Sequence, residues 1–291
     1  MKKSKIYPWY FALGALVFYV VFFIVPSLIG IGYSFTDWSS YSTEIHFVGF
    51  DNFKEIFSPD RDYTDYILNT LWFTAAETIF KTVFALALAV LLSKKVSALN
   101  FHRCIAYLPS VLSVLIVSLV FVSILNPKNG FLNEFLRAIG LDFLAQKWLT
   151  DPKIAMWSVI FVDVWRGTGY IMTIFIVGIL SIDKTYYEAA SIDGATAWHQ
   201  FRFITLPLLR PTTAMAIVLN VLYGLKVFDM VFALTNGGPG HTTEVLYTAV
   251  FKEFSMGRYA VGTAISTVML VIMIVAGIFM LNVLTKDEVQ A

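Results

Sequence analysis

Six long apolar blocks dominate this sequence and restrict what it can fold into. Each is close to the roughly 20 residues that an α-helix needs to cross the hydrocarbon core of a bilayer. The blocks lie near Tyr7–Ser34, Ile67–Leu92, Cys104–Leu125, Ile154–Leu180, Thr212–Leu234 and Tyr259–Leu284. Apolar residues make up 58% of the chain and charged residues only 14%, against about a half and a quarter in a soluble domain. The sequence therefore predicts an all-α, polytopic membrane protein with six transmembrane helices.

The charges around these blocks predict their orientation. Three lysines, Lys2, Lys3 and Lys5, directly precede the first block, and positively charged residues concentrate on the cytoplasmic side of membrane proteins. Because six crossings return the chain to the side on which it started, we expect both termini to be cytoplasmic. The same orientation places the long segment 181–211, between the fourth and fifth blocks, inside the cell.

Segment 181–211 holds the most informative pattern in the sequence. Residues from Glu188 to Ile192 favour a helix, and Gly194 can adopt the left-handed geometry that ends one. Apolar residues then recur three and four positions apart until two prolines stop the second helix. The pattern predicts a helix-turn-helix on the cytoplasmic face. Its small residues would let another protein approach closely, and Arg202 could form charge-assisted hydrogen bonds across such a contact.

This pattern resembles the EAA loop of ABC-importer permeases, in which Glu-Ala-Ala is followed three residues later by Gly and then by a proline-bounded apolar run. The matching residues are Glu188, Ala189, Ala190, Asp193, Gly194, Ala195, Phe201, Leu206, Pro207 and Pro211. The resemblance implies that this loop is a coupling helix that docks into a cleft of a separate ATPase subunit. The predicted ATPase-coupling residues are Glu188, Ala189, Ala190, Asp193, Gly194, Ala195, Phe201, Arg202 and Pro207.

Shorter motifs extend the resemblance over most of the chain and are similar to those of the maltose-type, carbohydrate-uptake branch. They lie at residues 47–53, 69–74, 108–110 and 234–239. The resemblance implies the type I ABC-importer permease fold in the bacterial cytoplasmic (inner) membrane. It divides the chain into a first transmembrane helix with its outer loop (1–66), a core permease domain (67–285) and a cytoplasmic tail (286–291).

The resemblance also implies an assembly and a substrate. The partners are a second permease subunit, two ATP-binding-cassette subunits that use ATP and Mg, and an extracellular substrate-binding protein. A distinct second permease is favoured over an identical one. The expected substrate is a sugar or oligosaccharide, and this chain itself would hold no cofactor.

Three acid–base pairs fall inside the predicted helices, each with a spacing of three or four residues. They are Glu77 with Lys81, Asp163 with Arg166, and Lys226 with Asp229. An unpaired charge at mid-membrane costs at least about 2.5–3.5 kcal/mol, and this spacing lets each helix pair its own charges on one face. The pairs are either structural bridges or a polar lining of a solute pathway.

Sugars present many hydroxyl groups, to which charged side chains bond strongly. The resemblance places the solute contact near the middle of the fifth helix. The predicted substrate contacts are therefore Asn220, Tyr223, Lys226 and Asp229.

Two other classes of function stay open at this point. An ion-coupled secondary transporter could use Glu77, Asp163 or Asp229 as its ion site. A membrane-bound enzyme or scaffold would need a catalytic constellation, and the sequence shows none. No Gly-Lys dipeptide occurs anywhere, so ATP hydrolysis is not expected in this chain. The four histidines are scattered over different loops, and no metal site is predicted.

Overall fold

A computed structural model describes residues 9–93 and 97–284, and its regular secondary structure in these ranges is helical. The helices, in chain order, are α1 (Tyr10–Tyr33), α2 (Asp51–Ile56), α3 (Tyr63–Leu92), α4 (Leu99–Val111), α5 (Val114–Ile124), α6 (Phe131–Ala138), α7 (Ala155–Ser181), α8 (Lys184–Ile192), α9 (Ala197–Leu208), α10 (Arg210–Gly224), α11 (Asp229–Leu234), α12 (Leu246–Ser255) and α13 (Tyr259–Leu284). An isolated β-bridge joins Thr36 and Phe47. The predicted all-α fold class is confirmed.

Four of these helices are long and apolar enough to cross a membrane without interruption: α1, α3, α7 and α13. Two further candidate spans are bent pairs, α4 with α5 at 93° and α9 with α10 at 65°. The structure thus supports four continuous spans, or six when each bent pair counts as one. The lysines used for orientation, Lys2, Lys3 and Lys5, and the tail 286–291 lie outside the described residues.

The prediction of one continuous third helix over Cys104–Leu125 is wrong. Leu112 has extended backbone angles between α4 and α5, so the two helices diverge there. Tertiary contacts explain the break, because Ser110 at the end of α4 is bound to α7. Its Oγ donates to the carbonyl of Arg166 (2.7 Å) and accepts from the amide of Tyr170 (3.0 Å).

The prediction of a continuous fifth helix over Thr212–Leu234 is also wrong. α10 ends at Gly224, and α11 begins only at Asp229. Gly224 lies so close to α3 that an added Cβ would lie 2.9 Å from the Cα of Thr74. The helix therefore ends at a glycine, a poor helix former, that is needed for close packing.

By its internal contacts, the chain divides into two units. One unit comprises residues 1–64 and 249–271. In it Glu55 is paired with Arg258 and with Arg61, and Tyr63 donates to Glu253 at 2.7 Å. The side chains of α1 are largely exposed, as expected for a helix whose surroundings are apolar lipid.

The second unit comprises residues 65–248 and 272–291 and contains the predicted functional segments. Its apolar core is built from one face each of α3, α7 and α11, represented by Phe73, Val159 and Val231, all fully buried. The predicted divisions at residues 66 and 285 stay predictions.

Candidate functional site

The loop between α7 and α10 folds as a helical hairpin with Gly194 at its turn. The φ of Gly194 is +78°, in the left-handed region that glycine enters without steric cost. The amide of Ala195 donates to the carbonyl of Ala190 (2.8 Å), and that of Gly194 to Ser191 (3.1 Å), which satisfies the last carbonyls of α8. The predicted helix-turn-helix is confirmed.

The start of α8 is capped by Asp183. Its Oδ1 accepts hydrogen bonds from the amide (2.9 Å) and the hydroxyl (2.6 Å) of Thr185. These bonds favour the ionised carboxylate and lower the pKa of Asp183 below its ordinary value. The resulting negative charge also suits the positive end of the helix dipole. The hairpin therefore begins at a fixed point directly after α7.

Polar side chains tie the two arms of the hairpin together. The hydroxyls of Tyr187 and Thr205 are 2.9 Å apart, and Nε2 of Gln200 donates to Oγ of Ser191 at 2.9 Å. Both bonds join α8 to α9. Hydrogen bonds therefore join the two arms of the hairpin to each other as well as closing its turn.

The surface of this hairpin is of the kind that contacts another protein. Most of the predicted coupling residues, Glu188, Ala189, Asp193, Gly194, Arg202 and Pro207, are exposed, while Ala190, Ala195 and Phe201 are half-buried. Large apolar side chains are exposed beside them, with 87% of Ile192, 66% of Trp198 and 69% of Phe203 accessible. A cleft of about 510 Å³ opens at the turn, between Gly194 and Phe203. Exposed apolar groups clustered in this way mark interaction surfaces.

A second polar cluster lies inside the helical bundle and is here called the Lys81 network. It consists of Glu77 and Lys81 on α3, Asp163 and Arg166 on α7, and Tyr223 on α10. Nζ of Lys81 forms ion pairs with Glu77 and with Oδ2 of Asp163, the latter at 2.9 Å. Tyr223 donates its hydroxyl to Oδ1 of Asp163 at 2.7 Å, and Lys81 lies 4.5 Å from the centre of its ring.

The network corrects one predicted pairing. Glu77 and Lys81 pair within α3 as predicted, but Asp163 pairs with Lys81 across two helices rather than with Arg166 on its own helix. Arg166 donates instead to the hydroxyl of Tyr223 at 3.4 Å. Two acids and two bases are thus gathered around one tyrosine, and their formal charges cancel. A buried group of charges needs this balance to be tolerated.

The structure separates the four predicted substrate contacts into two kinds. Asn220 is buried and donates to Oγ1 of Thr82 on α3 at 3.2 Å, and Tyr223 belongs to the Lys81 network. Lys226 instead lies within the non-helical residues between α10 and α11, Asp229 is the first residue of α11, and both are exposed. Only the last two present their charged groups at the surface of the unit.

Sequence reasoning did not find that the 69–74 motif contacts the segment that follows the 234–239 motif. The side-chain amide of Asn69, at the start of the 69–74 motif, donates to the backbone carbonyl of Glu244 at 3.0 Å. Oγ1 of neighbouring Thr70 accepts from the amide of Leu246 at 3.0 Å. The segment that follows the 234–239 motif is thereby fastened to α3. A separation of more than 170 residues leaves no local signal of this contact.

In the described part of the chain, no group of three or more His, Cys, Asp or Glu side chains is arranged to hold a metal ion. The polar chemistry of the bundle is that of ion pairs and hydrogen bonds. Such groups can bind a polar solute or hold helices together.

Two permease sequences match this chain over nearly its whole length. A probable ABC transporter permease of Bacillus subtilis, YurN, is 37% identical over 275 residues, which cover 94% of this chain and 94% of the relative. The multiple sugar-binding transport system permease MsmF of Streptococcus mutans is 33% identical over 290 residues, which cover 98% of each.

A crystal structure of a bacterial alginate ABC transporter, in complex with an alginate pentasaccharide-bound periplasmic protein, superposes with a TM-score of 0.83. The match covers 96% of this chain and 94% of that one, at 27% identity. The family model described as the binding-protein-dependent transport system inner membrane component matches residues 81–286, well over half of the chain. The chain therefore belongs to the family of inner-membrane components of binding-protein-dependent transport systems.

Proposed function

We propose that this chain is a permease subunit of an ATP-driven importer for a sugar or oligosaccharide. The observation that carries the proposal is the hydrogen-bonded, exposed hairpin turned at Gly194, which leads through α9 directly into α10. A motor protein that moves the hairpin would move α10. The substrate class is supported by the sugar-transporting relative and by the alginate transporter, whose chains match this one over nearly their full lengths.

The coupling surface is the segment 188–211, and it faces the cytoplasm together with both termini. Ile192, Trp198 and Phe203 supply the exposed apolar contacts, and Glu188 and Arg202 supply charges at their edge. ATP and Mg are used by partner ATPase subunits, because this chain carries no nucleotide-binding motif.

The remaining partners are a second permease subunit, for which a distinct chain is favoured, and a substrate-binding protein outside the cell. The alginate transporter supports the latter, since it was crystallised with a periplasmic protein that holds an oligosaccharide. The two permeases together would enclose the pathway, with the binding protein delivering the solute to it.

Within this chain, the pathway is expected to pass the interruption between α10 and α11. Lys226 and Asp229 are exposed there and can bond to sugar hydroxyls. A solute contact by Asn220 or Tyr223 would require their present bonds to open, to Thr82 and Asp163 respectively.

The ion-coupled carrier gains no support from the structure. Two of its three candidate ion sites, Glu77 and Asp163, are both engaged by Lys81, so neither offers a free carboxylate to an incoming cation. Its remaining candidate, Asp229, is exposed.

The test is ATP-driven uptake by the complete transporter in proteoliposomes, with the partner ATPases inside and the binding protein added outside. Gly194→Pro should abolish uptake, because proline cannot adopt a φ of +78°. Gly140→Pro is the matched control, since Gly140 has a similar φ of +76° but ends α6 instead. Unchanged uptake in the Gly194 variant would contradict the coupling role, and uptake that needs an ion gradient but no ATP would contradict the proposed function.

A further inference from the structure

The helix that carries the hairpin is fixed to its neighbours at two levels. Near the hairpin, α10 lies directly against α7: a Cβ added to Gly178 would lie 2.9 Å from Cγ2 of Thr212. At the other end of α10, Tyr223 is bonded to Asp163 of α7. The 11 residue steps from Thr212 to Tyr223 span about 16 Å at 1.5 Å per step. α7 and α10 are therefore joined near both ends of α10.

A third helix, α3, packs against both α7 and α10, and its Ala85 and Ala89 share a buried apolar cluster with Ala216 of α10. α3 contacts α10 through the hydrogen bond from Asn220 to Thr82 and through the close approach of Gly224 to Thr74. It contacts both α7 and α10 through Lys81, which pairs with Asp163 and covers the ring of Tyr223. The three helices thus meet at the Lys81 network.

The network lies immediately before the interruption of the helix. Tyr223 is the residue next to Gly224, at which α10 ends, and Lys226 follows three positions after Tyr223. Within the interruption, the amide of Lys226 donates back to the carbonyl of Tyr223 at 3.0 Å. The position of Lys226 is therefore set by the backbone of a residue whose side chain is fixed to α3 and α7.

We propose that Tyr223 is a positioning residue: its hydrogen bond to Asp163 clamps α10 to α7, and its ring contact with Lys81 extends the clamp to α3, so that movement of the hairpin is transmitted to Lys226 and Asp229. The proposal rests on the proposed importer function. It differs from the sequence prediction that Tyr223 touches the solute, because the hydroxyl is already engaged by Asp163 and Arg166. Without the clamp, α10 could turn while the residues beyond it lag behind.

The variant Tyr223→Phe isolates this role. It keeps the ring that packs against Lys81 but removes the hydroxyl that donates to Asp163. In proteoliposomes that hold the complete transporter, the number of ATP molecules hydrolysed per solute imported should rise on the order of tenfold, the factor typical of losing one hydrogen bond to a charged group. The KM for the solute-loaded binding protein should stay unchanged.

The second variant tests whether the two residues act through one bond. In a double-mutant cycle, Asp163→Asn combined with Tyr223→Phe should raise the ATP-to-solute ratio by less than the product of the two single effects, because contacts that form one unit are not additive. Tyr170→Phe is the control, since Tyr170 is an exposed tyrosine on α7, the helix that carries Asp163. The ATP-to-solute ratio of this variant should equal that of the unaltered protein.

The outcomes separate the proposal from its alternatives. If uptake and ATP hydrolysis fall together in an intact complex, the network only holds the fold. If the KM for solute increases, Tyr223 is a direct contact. Either result overturns the positioning role. Failure of the unaltered transporter to import any solute with ATP would instead refute the proposed function.

Discussion

The Lys81 network makes a sharp prediction for stability, because one cation serves two buried acids. Side-chain exposure is 4% for Lys81 and 0% for both Glu77 and Asp163. Lys81→Met keeps most of the volume and the flexible chain of lysine but removes the charge. It leaves two carboxylates facing each other with no cation between them.

The magnitude follows from the cost of an uncompensated buried charge. Removing one partner of a buried ion pair destabilises a protein by about 3–5 kcal/mol. A domain of about 150–250 residues loses about 2–4 °C in Tm per kcal/mol, so we expect a fall on the order of 10 °C. The nearby Arg166 cannot replace Lys81, because it reaches the network only through the hydroxyl of Tyr223.

The assay is a thermal melt of the purified complete transporter at a fixed heating rate, since membrane complexes unfold irreversibly and their Tm depends on that rate. The comparison variant combines Glu77→Gln, Lys81→Met, Asp163→Asn and Arg166→Met, which removes all four charges of the network. Neutral replacement of a whole buried network is often harmless, so this variant should recover most of the lost Tm. Equal melting of the Lys81→Met and unaltered proteins would refute the reasoning, and so would a fourfold variant less stable than Lys81→Met.

Two further predictions concern glycine geometry and loop orientation. Gly237→Ala should lower the Tm by several degrees, because Gly237 has a φ of +82° and an added Cβ would meet the carboxylate of Glu244; Gly240→Ala, at a φ of +53° with open space around it, should lower it less, and the reverse order would be incompatible with this account. In a Cys104→Ser background, Ile192→Cys should react with a membrane-impermeant maleimide only from the cytoplasmic side, since 87% of Ile192 is exposed. Labelling of intact cells from outside would contradict the proposed topology.

Features that depend on neighbouring residues in the chain could be predicted from the sequence. The turn at Gly194 is one example, because a glycine after a helix-forming segment carries its own conformational preference. The pairing of Glu77 with Lys81 is another, since residues four apart share a helical face. Both are present in the structure.

Features that depend on a choice among several possible partners could not be predicted from the sequence. The spacing of Asp163 and Arg166 permits an ion pair, yet Asp163 takes Lys81, which is distant in sequence but close in space. The end of α4 at Val111 has a similar cause, because its apolar sequence continues while Ser110 is drawn to α7. Local spacing permits both outcomes in each case, and packing against α7 favours the one observed.

The bilayer explains why the solute is expected at the interruption between α10 and α11. Counted from Arg210, the helix rises about 21 Å to Gly224, which is well inside a hydrocarbon core of about 30 Å. Non-helical backbone at that depth is tolerated only when it is buried in protein or lines a water-filled cavity. Val227 is buried, whereas Lys226 and Asp229 are exposed. Exposed charges beside an interrupted helix cannot face lipid, so their side of α10 must face water, a second subunit or the solute itself.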